Sequence, residues 1–357
     1  MVVAFFTAAI AVFFAYLSGF DKNHCYKLIF AFIILTAFLS LGYYWGNDVE
    51  RYEERFIYYT SSGISLLDFN DYDYVARGEF GYVWINILCE PIGFWGMRAL
   101  LFVVENAIVF YFIVKHVDRK WYWLAVFVYV FNPNFWVLSS SMMRQWLAMC
   151  ICLLGTDFLS RRKIIWYIAL TLLASTIHQT SLVCFLLLPI FFISKKASTN
   201  SSVIFIFFWL VFFAVSWFFR DFIIMWIMKE DYYTVYDDVT TNVGITSIGR
   251  VIIFILLLYL AIKQQTKDSF FNWTVLLYAI TLPLLSYSQL VSRIGLYFTI
   301  GTIAVYPSFC SEVKVKKIYK QSLILVVCSY LLYMFYIFFN SPTYHSGFYN
   351  YRILPFF

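Results

Sequence analysis

"VLSSSMMRQWLAMCICLLG", residues 137–155, is apolar enough to cross a bilayer, yet an arginine and a glutamine stand in its middle. Whether this run is a membrane helix decides the fold, and the rest of the chain answers the question. Of its 357 residues 62% are hydrophobic, 23% aromatic and only 13% charged, a composition outside the range of soluble globular domains. About twelve apolar segments follow one another, and ~20 apolar residues suffice for a helix to cross ~30 Å of hydrocarbon. The main polar interruptions, 47–79 and 220–249, are each too short to bury a core of their own. The expected fold class is therefore all-α, one polytopic integral membrane domain over residues 1–357.

The first run, Val2 to Phe20, has neither a basic n-region nor a small-residue cleavage site, so it reads as a retained helix. Cys25, Cys89, Cys150, Cys152, Cys184, Cys310 and Cys328 lie mostly inside apolar runs without metal-ligand spacing and read as packing residues. The net charge of +6 sits in short loops, which fits the positive-inside rule and gives no reason to expect a nucleic-acid partner.

Those loops are "DKNHCYK" (21–27), "KHVDRK" (115–120), "RRK" (161–163), "KK" (195–196), "KQQTKD" (263–268) and "SEVKVKKIYK" (311–320). Placing them all in the cytoplasm leaves every lysine inside except Lys229, while Arg51, Arg55, Arg77, Arg98, Arg144, Arg220, Arg250, Arg293 and Arg352 fall outside or at the outer boundary. Only one crossing then fits between 79 and 115. Residues 81–98, interrupted by Glu90, Pro91 and glycines, are expected to lie at the outer interface or to dip in and return. The uncharged run 164–193 would be about 45 Å long as one helix and would invert every later loop, so it reads as two short arms turning at "STIHQTS" in an outer recess. The expected spans are 2–20, 28–46, 99–114, 121–138, 143–160, 164–177, 180–194, 203–219, 250–262, 270–288, 294–309 and 321–339. Both termini then lie outside, with outer loops at 47–98, including the interfacial helix, and 220–249, and an outer tail at 340–357.

Arg144, Gln145, Arg293, Arg250 and Arg98 thereby gather at outer helix ends. A lone charge at membrane depth costs at least ~2.5–3.5 kcal/mol, so such residues face a cavity or a partner, the alternative being that they snorkel to headgroups. Guanidinium grips phosphate with a planar fork, so an outward arginine cluster suits a pyrophosphate. Acidic and tyrosine-rich stretches, "NDVERYEER", "LDFNDYDYVARGEF" and "KEDYYTVYDD", share that side. They suit a carbohydrate, the alternative being ordinary solvated loops. His178, at the outer turn, can take a proton from a sugar hydroxyl, or else be a turn residue satisfied by its backbone or Ser181. Glu105 reads as structural, and Asp157 as an i,i+4 partner of Arg161. There is no Walker loop, dinucleotide fingerprint, HExxH or GxSxG, and no cofactor or metal is expected.

"DYDYVARGEFGYVWI", "SSMMRQWLA", "IHQTSL" and "VSRIGLYF" occur in that order, and together they resemble the EpsG-like branch of the Wzy polymerases, which extend bacterial O-antigen, capsule or exopolysaccharide chains. The resemblance runs from about residue 40 to the end of the chain. It implies a lipid-linked sugar transferase (GT-C-like) core in the bacterial inner membrane and a metal-independent glycosyltransferase facing the periplasm. The growing glycan would pass from undecaprenyl diphosphate to the non-reducing end of an incoming lipid-linked repeat unit, with a chain-length regulator of the same membrane as a further partner. It makes Arg144 the arginine of the "RQ" motif, His178 the histidine of "HxTS", Arg293 the arginine of "SR", and Asp71, Asp73 and Glu79 the acidic motif, for sugar binding or as an alternative base. The short outer loops depart from what a large glycan needs, so its site must lie among the helices. The rivals are a flippase or other transporter of lipid-linked oligosaccharide and a membrane O-acyltransferase. The first should show an internal repeat and charges through the full depth, and the second a cytoplasmic donor site.

The loop assignment has a direct test. On a cysteine-free background, single cysteines at Lys196 and Lys316 should resist an impermeant thiol reagent in spheroplasts, whereas cysteines near Asp71, Asp237 and His345 should react. Labelling at 196 would break the two-arm reading of 164–193.

Overall fold

Small residues at Ala4, Ala8, Ala11, Ala15 and Ser18 form a buried stripe along helix α1 (Val2–Ser18), while Phe6, Ile10 and Phe13 on other faces are exposed. Small side chains let backbones approach closely in lipid, and α1 lies against α2 (Tyr26–Leu41) and α6 (Tyr122–Phe131). The computed structural model describes residues 1–20, 26–61, 79–196, 289–311 and 316–355, with Phe218 and Leu277. Two compact bodies result: Met1–Leu182 with Tyr306–Phe357, and Val183–Val305.

The first body continues with α3 (Val49–Ser61), α4 (Phe80–Leu88), α5 (Gly93–His116), α7 (Met143–Ser160) and α8 (Ile164–Ile177), and ends with α12 (Lys317–Asn340) and α13 (Pro342–Phe348). The second holds α9 (Leu187–Lys196) and α10 (Gln289–Thr299), and α11 (Thr302–Ser311) runs across its boundary. Segments Glu90–His116, Arg293–Ser311 and Lys317–Asn340 are long and apolar enough to cross a membrane. Val2–Ser18, Tyr26–Leu41, Ile164–Ile177 and Gln179–Phe192 are shorter apolar helices. The protein is an all-α membrane protein. The expected spans 203–219, 250–262 and 270–288 and the loop 220–249 lie outside the described residues.

In the first body the loops 115–120 and 161–163 meet at one pole. His116 Nε2 lies 2.8 Å from Asp157 Oδ1, and Asp157 also takes Arg161 and, at 3.2 Å, the Tyr111 hydroxyl. The Asp157–Arg161 pair is the i,i+4 contact expected from the sequence. Beside them the chain at Gly19 runs so close that a Cβ would sit 3.2 Å from the Arg119 carbonyl oxygen. Arg162, in the left-handed region at φ 62°, closes the α7–α8 hairpin.

The other pole is made of helix breaks. α2 stops at Leu41, and residues 42–43 pair with Arg352–Ile353 as two short antiparallel strands, β1 and β2. Helix α6 is about 15 Å long. It ends before Asn132–Pro133, after which residues 135–143 are buried without a continuous helix. Irregular backbone at membrane depth must be covered by protein, and this stretch is. Ser139 and Ser140 return their hydroxyls to the Trp136 and Val137 carbonyls, and Ser141 Oγ accepts the Asn47 amide at 2.6 Å. Gly46, at φ 133°, donates to the Gly347 carbonyl, where a Cβ would lie 2.9 Å from the Ser140 carbonyl oxygen.

Several sequence expectations are corrected. The loop 47–79 contains α3, whose Val49, Tyr52, Phe56 and Tyr59 recur at helical spacing and are buried. The span 28–46 ends five residues early, at Leu41, and the span 121–138 breaks at Asn132. The crossing expected at 99–114 starts at Gly93, following a 3-10 turn at Glu90–Ile92. Arg98, placed by the sequence in a diphosphate site, is fully buried and donates to the carbonyls of Gly42 at 2.6 Å and Trp45 at 3.1 Å, between the rings of Trp95 and Phe102. There it supplies donors to the carbonyls of the non-helical chain that follows α2.

Arg98→Leu should therefore damage the fold and not only the activity. Removing one partner from buried charge-assisted bonds costs about 1.5–3 kcal/mol for each. The thermal midpoint in detergent should drop by several degrees, and a stable, inactive Arg98→Leu protein would return the residue to a ligand site.

Candidate active site

Glu79, at the start of α4, meets the first turn of α7 and the first residue beyond α8. Its Oε2 lies 2.5 Å from Arg144 Nη1, its Oε1 2.9 Å from His178 Nδ1, and Oε1 also accepts the Gln179 amide at 3.0 Å. The helices deliver these groups for local reasons. α8 ends at Ile177 because His178 is extended (φ −151°, ψ 112°), which frees the following amides to find other acceptors. α7 restarts at Met143 after the buried break, so Arg144 stands in its first turn, at the positive end of the helix dipole. α4 seats itself by Gly81, where a Cβ would strike Thr176 of α8.

Beneath the three residues lies an apolar cluster of Val49, Tyr52, Phe56, Tyr82, Phe94, Met97, Leu101, Met143, Leu147 and Ile177, drawn from α3, α4, α5, α7 and α8. Arg144 sits over the Tyr82 ring at 5.8 Å. Side-chain exposure is 8% for Glu79, 16% for His178 and 17% for Arg144, so the group is recessed but open to solvent. Burial pushes the Glu79 carboxyl up, but the hydrogen bond to His178, the charge of Arg144 and the Gln179 amide outweigh it and hold it below the ordinary carboxylate value. A carboxylate, an imidazole and a guanidinium so arranged can hold an anion and move one proton.

Of the residues singled out in the sequence, Arg144, His178 and Glu79 are thus brought together. Gln145, next to Arg144, is buried at 4% exposure, and Arg98 is occupied below the site. Arg293 lies in α10 of the second body. Asp71, Asp73 and Arg250 lie outside the described residues. Sequence reasoning missed Tyr82 and α3; the 49-52-56-59 spacing was the available signal for the helix.

A helical membrane protein with a recessed histidine, carboxylate and arginine at the pole of its first body away from Asp157 is the class these features define. The EpsG family model matches residues 25–353, nearly the whole chain, and the chain belongs to that family. Neither a curated protein nor a solved structure is found to match it.

The Glu79 geometry carries a pH signature. A carboxyl held below its unfolded value contributes stability in full above the unfolded value, and that contribution disappears as pH falls through the lowered one. Wild type should melt higher than Glu79→Gln at neutral pH, and the gap should close on acidification through the carboxylate range. A gap that widens in acid would contradict the arrangement.

Proposed function

We propose that the protein is a polysaccharide polymerase of the bacterial inner membrane. It transfers a growing glycan from undecaprenyl diphosphate to the non-reducing end of an incoming lipid-linked repeat unit on the periplasmic side. The observation that carries this reading is the convergence of Arg144 and His178, from two different helices, on one recessed carboxylate. Membership of the EpsG family supports it.

In this reading the acceptor hydroxyl attacks the anomeric carbon while the bond to the diphosphate oxygen breaks. The electron pair leaves with the diphosphate, and the hydroxyl proton goes to His178. Arg144, reinforced by the N-terminus of α7, balances the charge that develops on the leaving group. Arg293 and Arg250 are proposed as further diphosphate ligands, Gln145 as a buried support beside Arg144, and Asp71 and Asp73 as sugar contacts. No cofactor is assigned, and a chain-length regulator in the same membrane is a proposed partner. Among the described residues, the convergence of a carboxylate, an imidazole and a guanidinium from three elements in one recess supports a transferase over a transporter.

Arg144→Lys separates a phosphate-gripping arginine from a headgroup anchor, because lysine keeps the charge and loses the fork. In an in vitro assay on purified lipid-linked repeat units, the lysine variant should be nearly as slow as Arg144→Ala. Losing one charge-assisted bond in the transition state slows the reaction roughly ten- to a hundred-fold. Near-normal turnover by a well-folded lysine variant would remove Arg144 from the chemistry.

A further inference from the structure

We propose that Glu79 is a positioning residue that keeps the His178 proton on Nδ1 and thereby makes Nε2 the atom that accepts the acceptor's proton. The proposal rests on the polymerase reading above and deepens it. From sequence, Glu79 belonged with Asp71 and Asp73 as a sugar contact or an alternative base, and the geometry gives it another task.

A carboxylate at neutral pH only accepts hydrogen bonds, so the 2.9 Å contact of Oε1 with Nδ1 requires the hydrogen on Nδ1. A neutral imidazole carries one N–H, which leaves the lone pair on Nε2. Nε2 has no hydrogen bond to any described residue, and the side chain keeps 16% of its exposure. The ring is held in its plane of approach as well. His178 donates its main-chain amide to the Ala174 carbonyl at 2.9 Å and accepts the Ser181 amide at 3.0 Å, while the same Glu79 Oε1 takes the Gln179 amide. Two bonds to one oxygen, one from the ring and one from the next amide, determine where the imidazole points.

The carboxylate's other oxygen is committed to Arg144. With both oxygens engaged, 8% exposure and a carboxyl held below its ordinary value, Glu79 is badly placed to abstract a proton itself. It acts through its neighbours. During transfer the acceptor O–H proton passes to Nε2, the glycosidic C–O bond forms, and the bond from the anomeric carbon to the diphosphate oxygen breaks with its electrons on the diphosphate. The imidazolium then stands against the Glu79 carboxylate until it returns its proton to water. A carboxylate behind an imidazole is the arrangement of the serine protease triad, where loss of the negative partner leaves the wrong tautomer.

The test combines spectroscopy with kinetics. The chain has four histidines, so the ring nitrogens of His178 in 15N-histidine protein can be assigned by difference against His178→Gln. In wild type at neutral pH, Nδ1 should appear protonated and Nε2 bare, and in Glu79→Gln this preference should be lost. Glu79→Gln should also slow turnover of purified lipid-linked repeat units roughly a hundred- to ten-thousand-fold, and that factor should shrink at least about tenfold in a His178→Ala background. An unchanged ring spectrum in Glu79→Gln, or the same loss in both backgrounds, overturns the proposal. Should Glu79→Gln aggregate, Glu79→Asp keeps the charge: it should retain the Nδ1 proton with partial activity, and full turnover without that proton would overturn the proposal equally. Normal turnover by His178→Ala would remove His178 as the base and overturn the proposal, whereas a wild-type protein that does not turn over purified lipid-linked repeat units would defeat the polymerase reading, with the ring spectrum still reporting on Glu79.

Discussion

Backbone that leaves the helix at membrane depth has to find hydrogen bonds inside the protein, and one pole of the first body is organised by that requirement. Three breaks meet there: after Leu41, from Asn132 to Met142, and at His178. The first and third are served by side chains from elsewhere in the chain, and the second lends Ser141 to the first. Arg98 serves the carbonyls of Gly42 and Trp45, Ser141 serves the Asn47 amide, and Glu79 serves the Gln179 amide. The polar residues that look anomalous in an apolar sequence are therefore of two kinds: those that repair a break, and those that a break brings into a recess.

That distinction explains what could be read in advance. Of the loops that the sorting of lysines from arginines groups together, those at 115–120 and 161–163 do meet around Asp157, away from Glu79, Arg144 and His178. The interruption at Glu90–Gly93 and the stop at His178 were legible because proline, glycine and a polar run have few places in a helix. The occupation of Arg98 was not. An arginine at a helix start looks the same in sequence whether it faces a phosphate or a carbonyl, and only the position of Gly42, 56 residues earlier, decides. Glu79 was equally opaque as the centre of the site, since its partners are 65 and 99 residues away and its neighbours in sequence suggested a sugar-binding acidic loop.

The two poles carry similar side chains to different ends. Around Asp157, a histidine, an arginine and a tyrosine tie α5 to α7, with the arginine one turn along the same helix. Such a pair forms wherever the helix forms and contributes only a few tenths of a kcal/mol. Around Glu79, no two of the three residues share a helix, so the contact exists only when α4, α7 and α8 are all in place. Geometry that needs three elements to agree is the better candidate for chemistry, because it holds its groups at distances that no single helix could set.

Charge balance accounts for how such a group survives in a recess. One carboxylate against one guanidinium lets the bundle bury the pair without an uncompensated ion. The same balance governs what the proposed reaction must do. An entering diphosphate brings negative charge to an arginine already paired with Glu79, so in the proposed reaction it competes with that carboxylate for the guanidinium. The proton then moving onto His178 adds a positive charge midway between that anion and Glu79. The site begins neutral, takes in an anion, and generates its counter-charge only as the leaving group departs, which places electrostatic stabilisation in the transition state and not in the substrate complex.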